Sequence, residues 1–280
     1  MASNVSKLVP NDPDKVMIIR RITPNLMTCS VPFYRFSRIR VGGRGTIVKL
    51  RDESLAVFSP VAFTARVKAQ MQEQLGSTNV KYLTALDQEH HIFLEQWHKE
   101  YPQATIISPE TLPDLRKKQN YSMFPEEQWR LIKVDESKGQ ATIKIDPTFD
   151  AEFDVEYVAA HANKELVFCH KPTKTLIEAD LLFNLPATEQ HSKVGDANTG
   201  ILTKIFVALN NPSGDAVWQK RLIWYGIAQD RTAFAESMKK IDKFDFDRLI
   251  PCHGDVIETG GKGVFQKVMS WFLESGKKTS

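Results

Sequence analysis

The sequence predicts an α/β protein in which antiparallel strands open the chain and strands then alternate with helices. Short segments rich in β-branched and aromatic residues run from Val16 to Phe58, and turn signals such as Gly42-Gly43 separate them. Further on, short apolar segments alternate with segments of helical periodicity. That alternation is typical of a partly parallel sheet covered by helices.

The first half of the chain is predicted to hold strands at 16–22, 25–31, 45–50, 54–59, 79–86 and 104–109. Apolar residues between Val61 and Leu75 recur at helical spacing, and Gly76 after them is a natural helix C-terminus. A second helix is expected from Ile92 to Tyr101, because Pro102 ends its pattern.

The second half is expected to hold strands at 153–160, 165–170 and 174–183, mainly helix over 215–242, a short strand before the loop at 251–254, and a last helix at 263–274. Residues 111–150 are less regular and are interpreted as a divergent segment between the halves. We expect residues 1–15 to form a flexible lead-in and residues 16–280 to form a single domain.

Composition limits the class of function. The 280 residues carry 37 Lys and Arg against 34 Asp and Glu, and a net charge of +3 is too small to predict a nucleic-acid partner. Three separated cysteines argue against a disulfide framework. The sequence shows neither a secretion signal nor an apolar run of membrane-spanning length. We therefore expect a cytoplasmic or nuclear protein that acts on a small molecule, without nucleic-acid or membrane partners.

Four histidines stand where predicted strands end. His90 and His91 follow the strand at 79–86, His161 follows the strand at 153–160, and His253 follows Pro251 and Cys252. Strand ends are where α/β folds place their sites. Asp180 also lies near the end of an apolar strand, and a buried carboxylate needs hydrogen bonds or a cation to offset its desolvation. These residues are candidate metal ligands.

With these segments the sequence resembles the metallo-β-lactamase superfamily from about Ile18 onward. ALDQEH, residues 85–90, stands in register with the first signature of that superfamily, His-x-His-x-Asp-His. EYVAAHANKELVF, KTLIEADLLF and RLIPCHGDVIETGG resemble the later segments that carry a histidine, a bridging aspartate and a Pro-x-His-Gly loop. LDQEHHIFLEQWHKEYPQA and FCHKPTKTLIEADLLFNL are also similar to a fungal and bacterial branch of unknown function. The resemblance implies a four-layer αββα sandwich with metal at one edge.

The resemblance also implies a set of metal ligands, namely Asp87, Glu89, His90, His161, Asp180 and His253. Glu89, His90, Asp180 and His253 form a set that zinc, iron or manganese accepts, with zinc favoured. The second donor set, Asp87, His161 and the shared Asp180, lacks a donor at Ala85. One or two ions per chain are therefore expected.

Structural roles stay open for several of these residues. Asp87 and Glu89 are also typical N-capping carboxylates for a helix that begins near His91. His91 is interpreted as an orienting or substrate-lining residue, and Trp224 and Tyr225 as residues that pack or line a pocket.

The function expected from these residues is that of a metal-dependent hydrolase. A metal-bound hydroxide would attack an ester, a lactone or a similar carbonyl, and Asp180 would hold the metal and orient the nucleophile. The acidic Asp87 and Glu89 leave open an iron-dependent redox enzyme. Ala85 and Ser59, at positions where the superfamily has functional residues, leave open a binding protein that has lost catalysis.

Overall fold

The first β-sheet has seven strands in the order β1-β2-β5-β6-β7-β8-β9. The structure is a computed structural model that describes residues 9–135, 140–141 and 143–275. The strands are β1 (Ile18–Thr23), β2 (Leu26–Val31), β5 (Gly43–Lys49), β6 (Leu55–Phe58), β7 (Val80–Thr84), β8 (Thr105–Pro109) and β9 (Trp129–Ile132). Pairing is antiparallel from β1 to β6 and parallel from β6 to β9. The expected antiparallel opening followed by parallel strands is confirmed.

The second sheet has four strands, β12 (Phe153–Val158), β13 (Glu165–His170), β14 (Thr175–Ile177) and β15 (Arg248–Ile250), in that order. Its pairs are antiparallel except for β14 and β15, which are parallel. Two small hairpins complete the strands: β3 (Tyr34–Arg35) with β4 (Ile39–Arg40), and β10 (Val134–Asp135) with β11 (Gln140–Ala141).

The α-helices are α1 (Pro13–Val16), α2 (Ala65–Leu75), α3 (Leu94–Glu100), α4 (Leu112–Lys118), α5 (Pro147–Glu152), α6 (Thr188–His191), α7 (Ile201–Leu209), α8 (Val217–Leu222), α9 (Arg231–Ile241), α10 (Gly261–Val268) and α11 (Ser270–Leu273). A π-helical turn, Ile223–Ile227, follows α8, and 3₁₀ turns lie at Glu126–Gln128 and Lys171–Thr173. No helix in the described ranges is long and apolar enough to cross a membrane.

Three hydrophobic clusters show how the layers stack. Buried residues from both sheets, such as Phe58 and Phe168 with ring centroids 5.0 Å apart, form the central cluster between the sheets. The outer face of the first sheet packs against α2 and α3, and the outer face of the second sheet packs against α9, α10 and α11. The result is the four-layer αββα arrangement that the resemblance implied.

The structure differs from the sequence prediction in the start of one helix and in one additional strand. α2 begins at Ala65 because the Thr64 hydroxyl caps it by accepting from the backbone N–H of Val67, and it ends at Leu75, where Gly76 with a φ of 72° forms the C-cap. The irregular segment at 111–150 contributes β9, the last strand of the first sheet, which the sequence pattern did not reveal.

Candidate metal centre

Three side chains from loops at one edge of the sandwich converge on a single point. His90 follows β7 of the first sheet, whereas Asp180 follows β14 and His253 follows β15 of the second sheet. One donor atom from each of the three lies within 4.8 Å of the others, and they form the one such group of His, Cys, Asp or Glu in the described residues. We call these residues the three-donor cluster.

Asp87 fixes the orientation of His90. Its Oδ1 accepts from the backbone N–H groups of Glu89 (2.7 Å) and His90 (2.8 Å), and also from His90 Nδ1 at 2.8 Å. Because an ionised carboxylate can only accept, the Nδ1 atom carries the proton. The Nε2 atom of neutral His90 therefore presents a lone pair, and it lies 3.1 Å from His253 Nε2.

A backbone carbonyl plays the same part for His253. Its Nδ1 donates to the Gly42 carbonyl oxygen at 2.7 Å, so its Nε2 also presents a lone pair. That Nε2 atom lies 3.2 Å from Asp180 Oδ1. When both rings are neutral, two Nε2 lone pairs and Asp180 Oδ1 thus face one another at short range, which is unfavourable unless a proton or a metal cation lies between them.

Two buried side chains hold the backbone of the His253 loop. Arg44 Nη1 donates to the carbonyl oxygens of Pro251 (2.7 Å) and Gly254 (2.6 Å). The Gln190 amide donates to the Cys252 carbonyl at 2.7 Å and accepts from the Gly254 N–H at 2.9 Å. His253 is therefore fixed on both sides along the chain.

Asp180 lies in a turn held by two other buried carboxylates. Glu165 accepts from the N–H groups of Ala179 (2.8 Å) and Asp180 (3.0 Å), and Glu178 accepts from those of the next two residues. Burial raises the pKa of both glutamates well above the ordinary value, and the negative charge of Glu178 adds to the effect on Glu165. Asn163 Nδ2 donates to Asp180 Oδ2 at 2.6 Å and leaves Oδ1 towards the imidazoles.

The charge balance of the three-donor cluster favours a cation. Burial opposes protonation of His90, but the carboxylates of Asp87 and Asp180 outweigh it and raise the pKa of His90 to about 10. Burial would raise the pKa of Asp180, yet His90 and His253 hold it well below its usual range. The same field that attracts a proton to His90 attracts a metal ion to the cluster.

The spacing of the donors also fits one metal ion. Two ligand atoms of a tetrahedral zinc ion, each about 2.0 Å from it, lie about 3.3 Å apart. The separations here are 3.1 Å between the two Nε2 atoms and 3.2 Å between His253 Nε2 and Asp180 Oδ1. Two imidazoles and a carboxylate are an accepted donor set for zinc, iron or manganese.

The second donor set has a different arrangement. His161 Nδ1 accepts from the Asn163 backbone N–H at 3.1 Å, so its Nε2 carries the proton in the neutral ring and lies 3.6 Å from Glu165 Oε2. Burial lowers the pKa of His161, which stays neutral despite the nearby Asp180 and Asp87. Neither Asp87 nor His161 joins the three donors that converge.

The remaining candidates lie around these groups. The Glu89 carboxylate turns away to Arg35, with 3.3 Å between Oε2 and Nη1. His91 lines the cavity beside the cluster, accepts at Nδ1 from Arg116 Nη1 (3.0 Å), and has a pKa lowered to about 4 by burial and Arg116. Trp224 packs on Phe272 with ring centroids 4.8 Å apart.

Tyr225 is 73% exposed, and neither it nor Trp224 lines that cavity. Both residues lie in the π-helical turn Ile223–Ile227, where Trp224 packs on Phe272 and Tyr225 faces solvent.

Five residues that the sequence analysis did not single out hold the candidate ligands or their backbone through hydrogen bonds. They are Gly42, Arg44, Asn163, Glu165 and Gln190. Gly42 has a φ of 71°, and a Cβ there would overlap the Gln190 side chain. The Gly-Gly pair was visible as a turn signal, but nothing in the sequence pairs that turn with His253, which lies far along the chain.

Known proteins share the fold. A family model described as Domain of unknown function (DUF4336) matches residues 34–210. A metallo-beta-lactamase from Pontibacter korlensis superposes with a TM-score of 0.55 at 10% identity, over 92% of this chain and 100% of that chain. A metallo-beta-lactamase from Hirschia baltica superposes with a TM-score of 0.56 at 10% identity, over 91% and 97%. No curated protein matches the sequence. At this identity the two structures show a shared fold.

Proposed function

The chain belongs to the family described as Domain of unknown function (DUF4336) and has the metallo-β-lactamase fold, and from its donor set we propose that it is a metal-dependent hydrolase. His90, Asp180 and His253 would hold one divalent ion, with zinc favoured over iron or manganese. The substrate is proposed to be a small molecule with an ester, lactone or similar carbonyl group.

One observation carries the proposal: both imidazoles of the three-donor cluster donate at Nδ1 to protein acceptors, so both Nε2 lone pairs point at the same place. A hydrogen bond from the second ring nitrogen to a carboxylate or a carbonyl is the usual support of a metal-binding histidine. Three protein ligands with an open position are typical of catalytic rather than structural zinc sites.

The chain's residues have separate roles in the reaction. A bound metal ion would supply Lewis acidity, which lowers the pKa of a water molecule and polarises a carbonyl oxygen. Asp87 and the Gly42 carbonyl keep the imidazoles in the metal-binding tautomer. Asp180 would orient the attacking water, because Asn163 fixes its carboxylate through Oδ2.

The test is elemental analysis joined to an ester and lactone hydrolysis assay. We expect about one transition-metal ion per chain, hydrolysis that a chelator abolishes, and recovery when zinc is returned. His98→Ala is the matched control, since His98 Nε2 bonds to Gln128 at 2.7 Å and takes no part in the cluster. Protein that holds no metal after expression in metal-replete medium would refute the proposal. Bound iron with redox activity but no hydrolysis would favour the redox alternative.

A further inference from the structure

A cavity of about 400 Å³ opens directly onto the three-donor cluster, and His90 and His253 form part of its wall. Most of the remaining wall is apolar, with contributions from Val31, Phe33, Phe36, Val61, Ile92 and Phe93. A cavity with two imidazoles at one place and aliphatic and aromatic side chains elsewhere suits a ligand with one polar group and an apolar body.

Each acidic or basic side chain on the wall has a charged partner, either on the wall or, for Arg44, in Glu189 behind it. The Arg35 guanidinium lies 3.3 Å from the Glu89 carboxylate, and both side chains line the cavity. Arg44, which also lines it, is fully buried and uses its donors on Ser30 and the His253 loop. The wall residues that the structure describes therefore offer no unpaired Asp, Glu, Lys or Arg for a second ionic group on the ligand.

Phe36 adds an exposed aromatic side chain to this wall. It is 75% exposed at the tip of the β3–β4 hairpin, although it also lines the cavity. Phe36 and Ser37 have φ values of 51° and 58°, a conformation that is strained for residues other than glycine. The hairpin turn thus places the phenyl ring on the cavity wall and largely outside the packed core, where it is available to contact a ligand.

We propose that the substrates are acyl compounds whose carbonyl group lies at the His90 and His253 end and whose hydrocarbon chain lies along this apolar wall. The statement rests on the proposed hydrolase function and names the substrate class of the same site. Phe36 lies over the hydrocarbon chain of the ligand, and the length of that hydrocarbon chain, rather than a charged group, determines specificity.

Binding of straight-chain methyl ketones tests the inference, because they resemble methyl esters and cannot be hydrolysed. Calorimetric titration of the metal-loaded protein should show about fourfold tighter binding per added methylene, until the cavity is full. The same protein is then assayed with esters of matching chain length. Affinity that does not change with chain length overturns the inference.

Two wall variants and one control locate the binding. Phe36→Ser and Ile92→Asn should each weaken binding of the longest ketone about tenfold. Trp218→Ser should leave it unchanged, since Trp218 is also exposed (53%) but does not line the cavity. Phe36 is exposed, so its variant remains informative if Ile92→Asn fails to fold. Equal binding by Phe36→Ser, Trp218→Ser and the parent overturns the inference.

The two proposals fail in different ways. Ketone binding that depends on chain length, without hydrolysis of any ester, supports the acyl pocket and contradicts the hydrolase. If esters are hydrolysed, but neither their kcat/KM nor ketone affinity changes with the length of the hydrocarbon chain, only the proposal of the acyl pocket is contradicted.

Discussion

The three-donor cluster and the second donor set lie at the same edge of the sandwich, but their imidazoles have opposite hydrogen-bond roles at Nδ1. In their neutral forms His90 and His253 donate at Nδ1 and have a lone pair on Nε2, whereas His161 accepts at Nδ1 and keeps its proton on Nε2. The partner on the far side of the ring thus decides which nitrogen can bind a metal. The position of His161 after its strand fits the predicted ligand set, but its accepting Nδ1 disfavours metal binding at Nε2.

Removing one histidine from each group gives the largest expected contrast. His253→Ala should weaken metal binding more than a hundredfold, because a direct ligand is lost and its loss exceeds that of a supporting residue. His161→Ala should change metal affinity less than threefold, because the Nε2 atom of His161 carries a proton. Competition with a chromophoric chelator measures both, and equal losses would contradict the contrast.

Adding a histidine tests whether the second donor set can be completed. Ala85 has no exposed surface and packs in the core cluster with Leu83, Leu94 and Trp97. Ala85→His should therefore cost about 3 kcal/mol in the free energy of unfolding, through overpacking and an unsatisfied ring nitrogen. Metal content should stay at the parent's value. A rise towards two ions per chain with unchanged stability would show that position 85 faces the metal loops.

Asp87 joins the two groups and gives an intermediate effect. Asp87→Asn should weaken metal binding by about tenfold to a hundredfold, because the amide supports the His90 tautomer less strongly than a carboxylate. Asp230→Asn is a matched control: Asp230 also accepts from two backbone N–H groups, at the start of α9, but contacts no imidazole. The control should keep its metal affinity, and a comparable loss in both variants would remove Asp87 from the site.

His170 is a buried histidine outside both groups, and it should affect the pH dependence of stability rather than metal binding. It lies at the far end of β13, bonded at Nδ1 to Thr173 (2.8 Å), with Glu152 at 3.6 Å from Nε2. Burial and the Arg51 charge lower its pKa from 6.5 to about 4, so it is neutral in the folded protein.

Protonation of His170 then favours the unfolded chain, and its contribution is complete above pH 6.5 and lost as the pH falls towards 4. The loss should reach about 3 kcal/mol. His170→Gln should flatten this part of the stability profile measured by urea unfolding, without changing metal affinity. A slope that equals the parent's would show that His170 does not contribute.

Most strands of the two main sheets and the three converging donors could be predicted from the sequence, because hydrophobic patterning locates strand ends and donor-bearing residues follow them. Prediction and structure differ where a side chain contacts residues that are distant along the sequence. Glu89 follows the right strand, yet Arg35 from a distant hairpin holds its carboxylate. Trp224 and Tyr225 lie in a π-helical turn, whose side-chain directions no helical or strand periodicity predicts.

Arg44 joins the two halves of the molecule. It belongs to β5 of the first sheet, but its guanidinium binds the carbonyls on either side of His253, which follows β15 of the second sheet. His90 likewise comes from the first sheet. A metal ion bound at the cluster would therefore link sheet docking to metal affinity: a change that separates the sheets would weaken metal binding, and bound metal would oppose their separation. Metal affinity would then report on the packing between the sheets, so a substitution in the core between them could alter metal affinity without contacting a ligand.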